Sequence, residues 1–337
     1  MPGSVSVTAM FLRLLLSILL SVIAAASAQA SWLARSEVRV CPAAPGETEP
    51  PPAGAARGET TLYWTANPQR RTIWIEAIID IEEPPGALTG PYALFVSGKM
   101  AVEAHVNGVA IGANGAPGFS AADETPGRMD AAIFLPAQVL QAGENRVVLL
   151  ASGHHSVIDL ANPVHRISIG PYFDPSRSTL SAYQSSLVTL GVFVLALVFF
   201  SALAVLSKRR GLRSLLAVIA LVAGVQLIAE AGRGLFAYSY PVHDRRLILI
   251  AAGAALLAAL TTGWSALRFT PSARRFHLIL VAALVMALAM VLALAPGFDG
   301  KAGYAALFGA LAAAAPPAWR AFRDRRVGPG LWTTGFL

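Results

Sequence analysis

Residues 97–118 read SGKMAVEAHVNGVAIGANGAPG. Two short runs with β-branched residues, 100–106 and 109–111, flank Asn107-Gly108. That dipeptide is a strong hairpin signal, because a type I′ turn needs positive φ at both central positions. Working outward, similar runs recur at 61–65, 72–81, 92–97, 129–135, 146–151 and 166–169. Asn114-Gly115 and Gly143-Glu144-Asn145 supply further turns. About eight short strands in roughly 120 residues predict a jelly-roll β-sandwich.

The flanks differ in character. In 1–30, Arg13 precedes an apolar run at 14–26, and Ala28-Gln29-Ala30 follows as a small-x-small pattern. This reads as a signal peptide, too short to span the bilayer comfortably, with Met10 offering a tighter start. Residues 31–60 read as a lead-in, of which 42–60 is rich in Pro and Gly and predicts a loop. The sandwich is expected over 61–180. Cys41 is the single cysteine, which excludes an internal disulfide framework and a cysteine-clustered metal site.

Beyond residue 182 the chain is strongly apolar. Candidate transmembrane helices lie at 183–206, 214–231, 247–267, 276–295 and 302–318. Only 13% of the chain is charged, against about 25% in soluble domains. The net charge of +7 divides unevenly, with −5 over 31–180 and +11 over 181–337. An acidic exported half argues against nucleic acid. Between the apolar segments, 11 basic residues fall in the connections assigned to the cytoplasm and four in those assigned outside. That bias agrees with the orientation the signal peptide requires. Residues 327–337, VGPGLWTTGFL, read as the start of a sixth crossing or as a short tail.

The 97–118 stretch, followed by IFLPAQVLQAGENRVVLL at 133–150, resembles the galactose-binding-like jelly roll. Val106, Asn107, Gly108, Gly112, Leu135, Pro136, Leu140, Gly143, Asn145 and Val147 carry the resemblance. Such domains occur as carbohydrate-binding modules and as sandwich domains of glycosidases. Signal peptide, sandwich and closely spaced helices together resemble the bacterial seven-transmembrane receptors with diverse intracellular signalling modules. The resemblance implies a multi-pass protein of the bacterial cytoplasmic membrane with a periplasmic sensor domain. It implies a transmembrane signal-transduction receptor module. The first alternative is the sensory front part of a sensor histidine kinase or diguanylate cyclase, and the second is a membrane-anchored carbohydrate-binding scaffold. Expected partners are a small periplasmic ligand such as a saccharide, membrane lipid, a cytoplasmic kinase or cyclase output, and a second copy of the chain.

No catalytic motif is present: kinase phosphoacceptor, Gly-rich nucleotide loop and GGDEF-like runs are all missing. No cofactor is expected. His154, His155, Asp159 and His165 cluster within a short stretch. Adjacent histidines on a strand point to opposite faces, so a solvated loop is expected there rather than a metal site. Gly263-Trp264-Ser265 lies in an apolar segment, with His243 and His277 as the only histidines of that half, and neither is expected at Ser265. Glu230 and Arg233 stand at the outer end of the second apolar segment. An acid there is a signal-transfer candidate, and the spacing predicts a Glu230–Arg233 pair. Tyr63, Trp64, Trp74, Tyr92, Phe95 and Phe119 could stack on a sugar, but strand positions favour a core role. Residues 170–182, stiffened by Pro171 and Pro175, are expected to pass motion from sandwich to membrane.

Overall fold

The computed structural model describes residues 31–47, 49–52, 58–82, 91–207, 210–295 and 297–324. The expected signal peptide at 1–30 and the expected tail or sixth crossing at 327–337 lie outside the described residues. An antiparallel sandwich of two sheets is followed by a bundle of long apolar helices.

The strands are β1 (Trp32–Leu33), β2 (Glu37–Pro42), β3 (Glu59–Leu62), β4 (Thr72–Ile81), β5 (Tyr92–Gly98), β6 (Ala101–Val106), β7 (Val109–Asn114), β8 (Asp130–Leu135), β9 (Gly143–Ser152) and β10 (Val164–Pro171). One sheet has the order β1-β10-β5-β8 and the other β3-β2-β4-β9-β6-β7. Alternation on β4 sends Ile73, Ile75, Ala77, Ile79 and Ile81 into the core. There they meet Leu149 and Ala151 of their own sheet and Leu94, Val96, Ile133 and Ile169 of the other. The β6–β7 hairpin turns at Asn107 and Gly108, with φ of 51° and 84°. The Asn107 side chain also binds β9: its amide donates to Asn145 Oδ1, and its carbonyl accepts from Arg146 N.

The lead-in expected at 31–60 is corrected by the structure. It supplies β1, β2 and the first half of β3, and β2 lies inside the larger sheet between β3 and β4. The run EVRVCP has the strand alternation, but it is short and ends in proline. Cross-strand pairing with β4 decides its state.

Strand β5 is buried on both faces. Tyr92, Leu94 and Val96 belong to the core cluster. On the opposite face Phe95 is covered by Phe173, with ring centroids 4.2 Å apart, and by the Arg166 guanidinium.

The helices are α1 (Pro175–Ala182), α2 (Gln184–Leu206), α3 (Arg210–Leu235), α4 (Tyr240–Phe269), α5 (Arg274–Leu294) and α6 (Gly297–Asp324). Asp174 caps α1 by accepting from Ser176 N, and Pro175 occupies the first turn. Four helices, α2 to α5, are long and apolar enough to cross a membrane. Their mean hydropathies run from 2.0 to 2.8. Helix α6 is richer in alanine and contains Pro316 and Pro317. It runs parallel to α4: Gly309 lies against Ala258, Ser265 Oγ donates to Ala313 O at 2.6 Å, and Arg320 Nη1 reaches Phe269 O at 3.4 Å. Small residues permit this close approach. Arg268, Arg320 and Arg323 lie at the bundle end opposite the sandwich, whereas Lys301 caps α5 carbonyls at the near end.

Candidate functional site at the sandwich–helix seam

The end of the bundle that holds the α3–α4 connection is built into the sandwich. Between α3 and α4 the chain runs alongside the loop before β8. Met129 N donates to Tyr238 O at 3.0 Å and Tyr240 N to Gly127 O at 2.9 Å, closing an antiparallel bridge between Arg128 and Ser239.

Side chains reinforce that bridge. Tyr240 is fully buried; its hydroxyl donates to the Glu124 carboxylate and accepts from His155 N at 2.8 Å. Glu124 also accepts from Ser152 Oγ at 2.6 Å and His154 N at 2.8 Å. One turn along α4, Asp244 accepts from Val157 N at 2.8 Å, and its other oxygen lies 2.7 Å from Lys99 Nζ. Both members of this pair are fully buried. Lys99 Nζ further donates to Gln69 Oε1 at 3.0 Å and Ile158 O at 2.5 Å. Burial lowers the Lys99 pKa, opposed by its hydrogen bond to Asp244.

Arg233, in the last turn of α3, forms the other half of the latch. Its Nε and Nη2 each lie 2.8 Å from an oxygen of Asp130 on β8, and Nη2 also reaches Ser97 Oγ at 2.8 Å. Burial alone would raise the Asp130 carboxyl, but the Arg233 hydrogen bonds and charge outweigh it and hold it below its ordinary value. Next to Arg233, Gly234 lets α1 approach: a Cβ there would lie 2.6 Å from Leu180 Cα.

Beside the latch lies a cleft of about 260 Å³, between the outer face of β5 and β10 and helix α1. Phe95, Phe173, Arg166, His165, Asp130 and Thr179 line it, and Arg233 closes one side.

These contacts revise several expectations. Arg233 turns to the sandwich, and Glu230 receives Gln226 Nε2 at 3.4 Å, so the expected intrahelical pair gives way to an ion pair across the seam. Asp159 binds Arg70 at 3.1 Å, His154 Nε2 lies 3.1 Å from Thr72 Oγ1, and His165 stacks edge-on against His243 at 6.0 Å. The cluster is therefore dispersed, and among the described residues no three or more His, Cys, Asp and Glu come together as a metal site. Ser265 is spent on helix packing, while His277 meets Thr270 and His243 meets Tyr238. Of the aromatics, Trp74 and Tyr92 are core residues, Phe119 is exposed, and Phe95 faces the cleft. Lys99, Glu124, Asp130, Tyr240 and Asp244 were not legible as a group. The faint signal was Asp244, an acid at the head of an apolar segment.

No family model matches this chain, and no curated protein matches it. Among solved structures, a β-glucosidase from Kluyveromyces marxianus is similar at 12% identity with a TM-score of 0.23. That match covers 44% of this chain and 19% of the glucosidase, so the chain spans less than a fifth of that enzyme's length.

Proposed function

We propose that this chain is the sensory module of a transmembrane signalling receptor of the bacterial cytoplasmic membrane. The sandwich takes up a small periplasmic solute, and the helices carry the consequence to a cytoplasmic kinase or cyclase output. The observation that supports this reading is the double latch. Asp130–Arg233 ties the sandwich to the end of α3, and Lys99–Asp244 ties it to the start of α4. A domain that merely needs tethering gains nothing from burying charge at its anchor, since buried pairs contribute little net stability. What such pairs provide is a defined geometry, in which displacement of the sandwich displaces two helices. A ligand can act through it only by its differential affinity for two arrangements.

The test needs no ligand. Spin labels are placed at Ser207→Cys and Thr270→Cys, at the far ends of α2 and α4, in a Cys41→Ala chain reconstituted in nanodiscs. Asp130→Asn and Lys99→Met, both confined to the sandwich, are expected to shift the distance distribution across the membrane. An unchanged distribution in the double variant, with native circular dichroism, overturns the reading. A membrane-anchored binding domain then remains.

A further inference from the structure

We propose that the cleft between β5, β10 and α1 binds a small organic anion, its oxyanion held by Arg166 and its flat apolar body laid against Phe173, which Phe95 backs. The proposal gives the receptor reading a ligand class. Binding is measured directly, so either can fail without the other.

The charge arrangement carries the argument. Two guanidinium groups and one carboxylate line the cleft. The carboxylate, Asp130, is committed to Arg233 through two 2.8 Å bonds and to Ser97 through a third of 2.6 Å. Arg166 is differently placed. Its Nε donates to Ser168 Oγ and its Nη2 to Ser31 Oγ, both at 2.7 Å. These acceptors are neutral, and among the described residues no carboxylate lies within ion-pair distance of it. The serines and the Phe95 ring, 5.6 Å from the guanidinium carbon, fix the fork in place. Burial lowers the Arg166 pKa, opposed by the Asp130 charge. A fixed, half-desolvated guanidinium with no carboxylate bonded to it among the described residues is a site for an oxyanion.

Size and surroundings narrow the class. At about 260 Å³, the cleft falls just below the usual range for drug-sized ligands, about 300–1,000 Å³. Phe173, stacked on the buried Phe95, supplies an apolar wall for a ring or a short planar chain. Thr179 of α1 and Arg233 of α3 border the same space. An occupant therefore touches the joint and the latch together.

An oxyanion on an apolar body describes a soluble carboxylate or an anionic lipid headgroup equally well, and the test separates them. Benzoate is titrated into the full chain in phosphatidylcholine nanodiscs by calorimetry, with benzamide as the uncharged control. Saturable benzoate binding at a Kd of about 1 mM or tighter is expected, with none for benzamide. Arg166→Gln should weaken it by about tenfold or more, and Arg166→Lys, which keeps the charge and loses the fork, by less. Phe173→Ala should weaken it while leaving the fold intact by circular dichroism. In discs containing phosphatidylglycerol, unchanged benzoate affinity assigns the site to soluble anions. Competition that disappears in Arg166→Gln assigns it to lipid; both results support the site. Benzoate binding that ignores Arg166→Gln, or no benzoate binding together with no Arg166-dependent lipid effect, overturns it.

Discussion

Lys99 and Asp244 stand 2.7 Å apart with no solvent exposure on either side chain, one in the turn between two strands and the other on a helix long and apolar enough to cross a membrane. Each charge is buried only because the other is present.

Removing one member should therefore cost more than removing both. Lys99→Met leaves the Asp244 carboxylate buried without its cation, at about 3–5 kcal/mol. Lys99→Met with Asp244→Leu should recover most of that loss. Denaturant unfolding of the wild type and the two variants in detergent, followed by near-UV circular dichroism, measures the difference.

The Asp130–Arg233 half of the latch predicts a pH dependence. A carboxylate whose folded pKa is depressed contributes stability above its unfolded value, about 3.9 for aspartate, and loses it as pH falls through the folded value. The melting-temperature gap between the wild type and Asp130→Asn should hold from neutral pH down to about 5 and close below about 4. A gap that widens in acid would contradict the assigned charge state.

Strand β2 makes the domain boundary testable. A fragment of residues 31–174 retains the full larger sheet and should give a β-type circular dichroism spectrum with a cooperative melt. The shorter 58–180 lacks β1 and β2, leaves the edge of β4 open, and should aggregate.

Flexibility in the joint should not by itself release the sandwich. Ten Gly/Ser residues inserted after Asp174 loosen the covalent connection into α1, yet the bridge at Arg128 and Ser239 and both ion pairs persist. Hydrogen exchange at Met129 and Tyr240 is expected to remain slow in the insertion variant and to become fast when Lys99→Met and Asp130→Asn are added.

Gly234 should tolerate no large side chain. Leucine there collides with the α1 backbone at Leu180, a rigid neighbour, and should destabilise by about 1–3 kcal/mol. Thermal unfolding of Gly234→Leu measures it.

Local chemistry determined a good part of this architecture. Period-2 alternation on β4 and the positive-φ demand of Asn107-Gly108 announced the sandwich, because strand faces and tight turns depend on neighbours in sequence. Apolar runs announced the helices for the same reason, since a bilayer reads length and hydropathy. Arg233 was legible as a residue of interest, but its partner was not: Asp130 lies 103 positions away, and no spacing rule reaches that far. β2 was missed because a strand of six residues ending in proline acquires its state from the β4 edge it pairs with. The latch and the cleft were decided by tertiary structure alone. Lys99 and Glu124 look like ordinary surface charges in the sequence, Asp244 stands out only as an acid at the head of an apolar segment, and only the seating of one folded half on the other removes their water and makes partners of them.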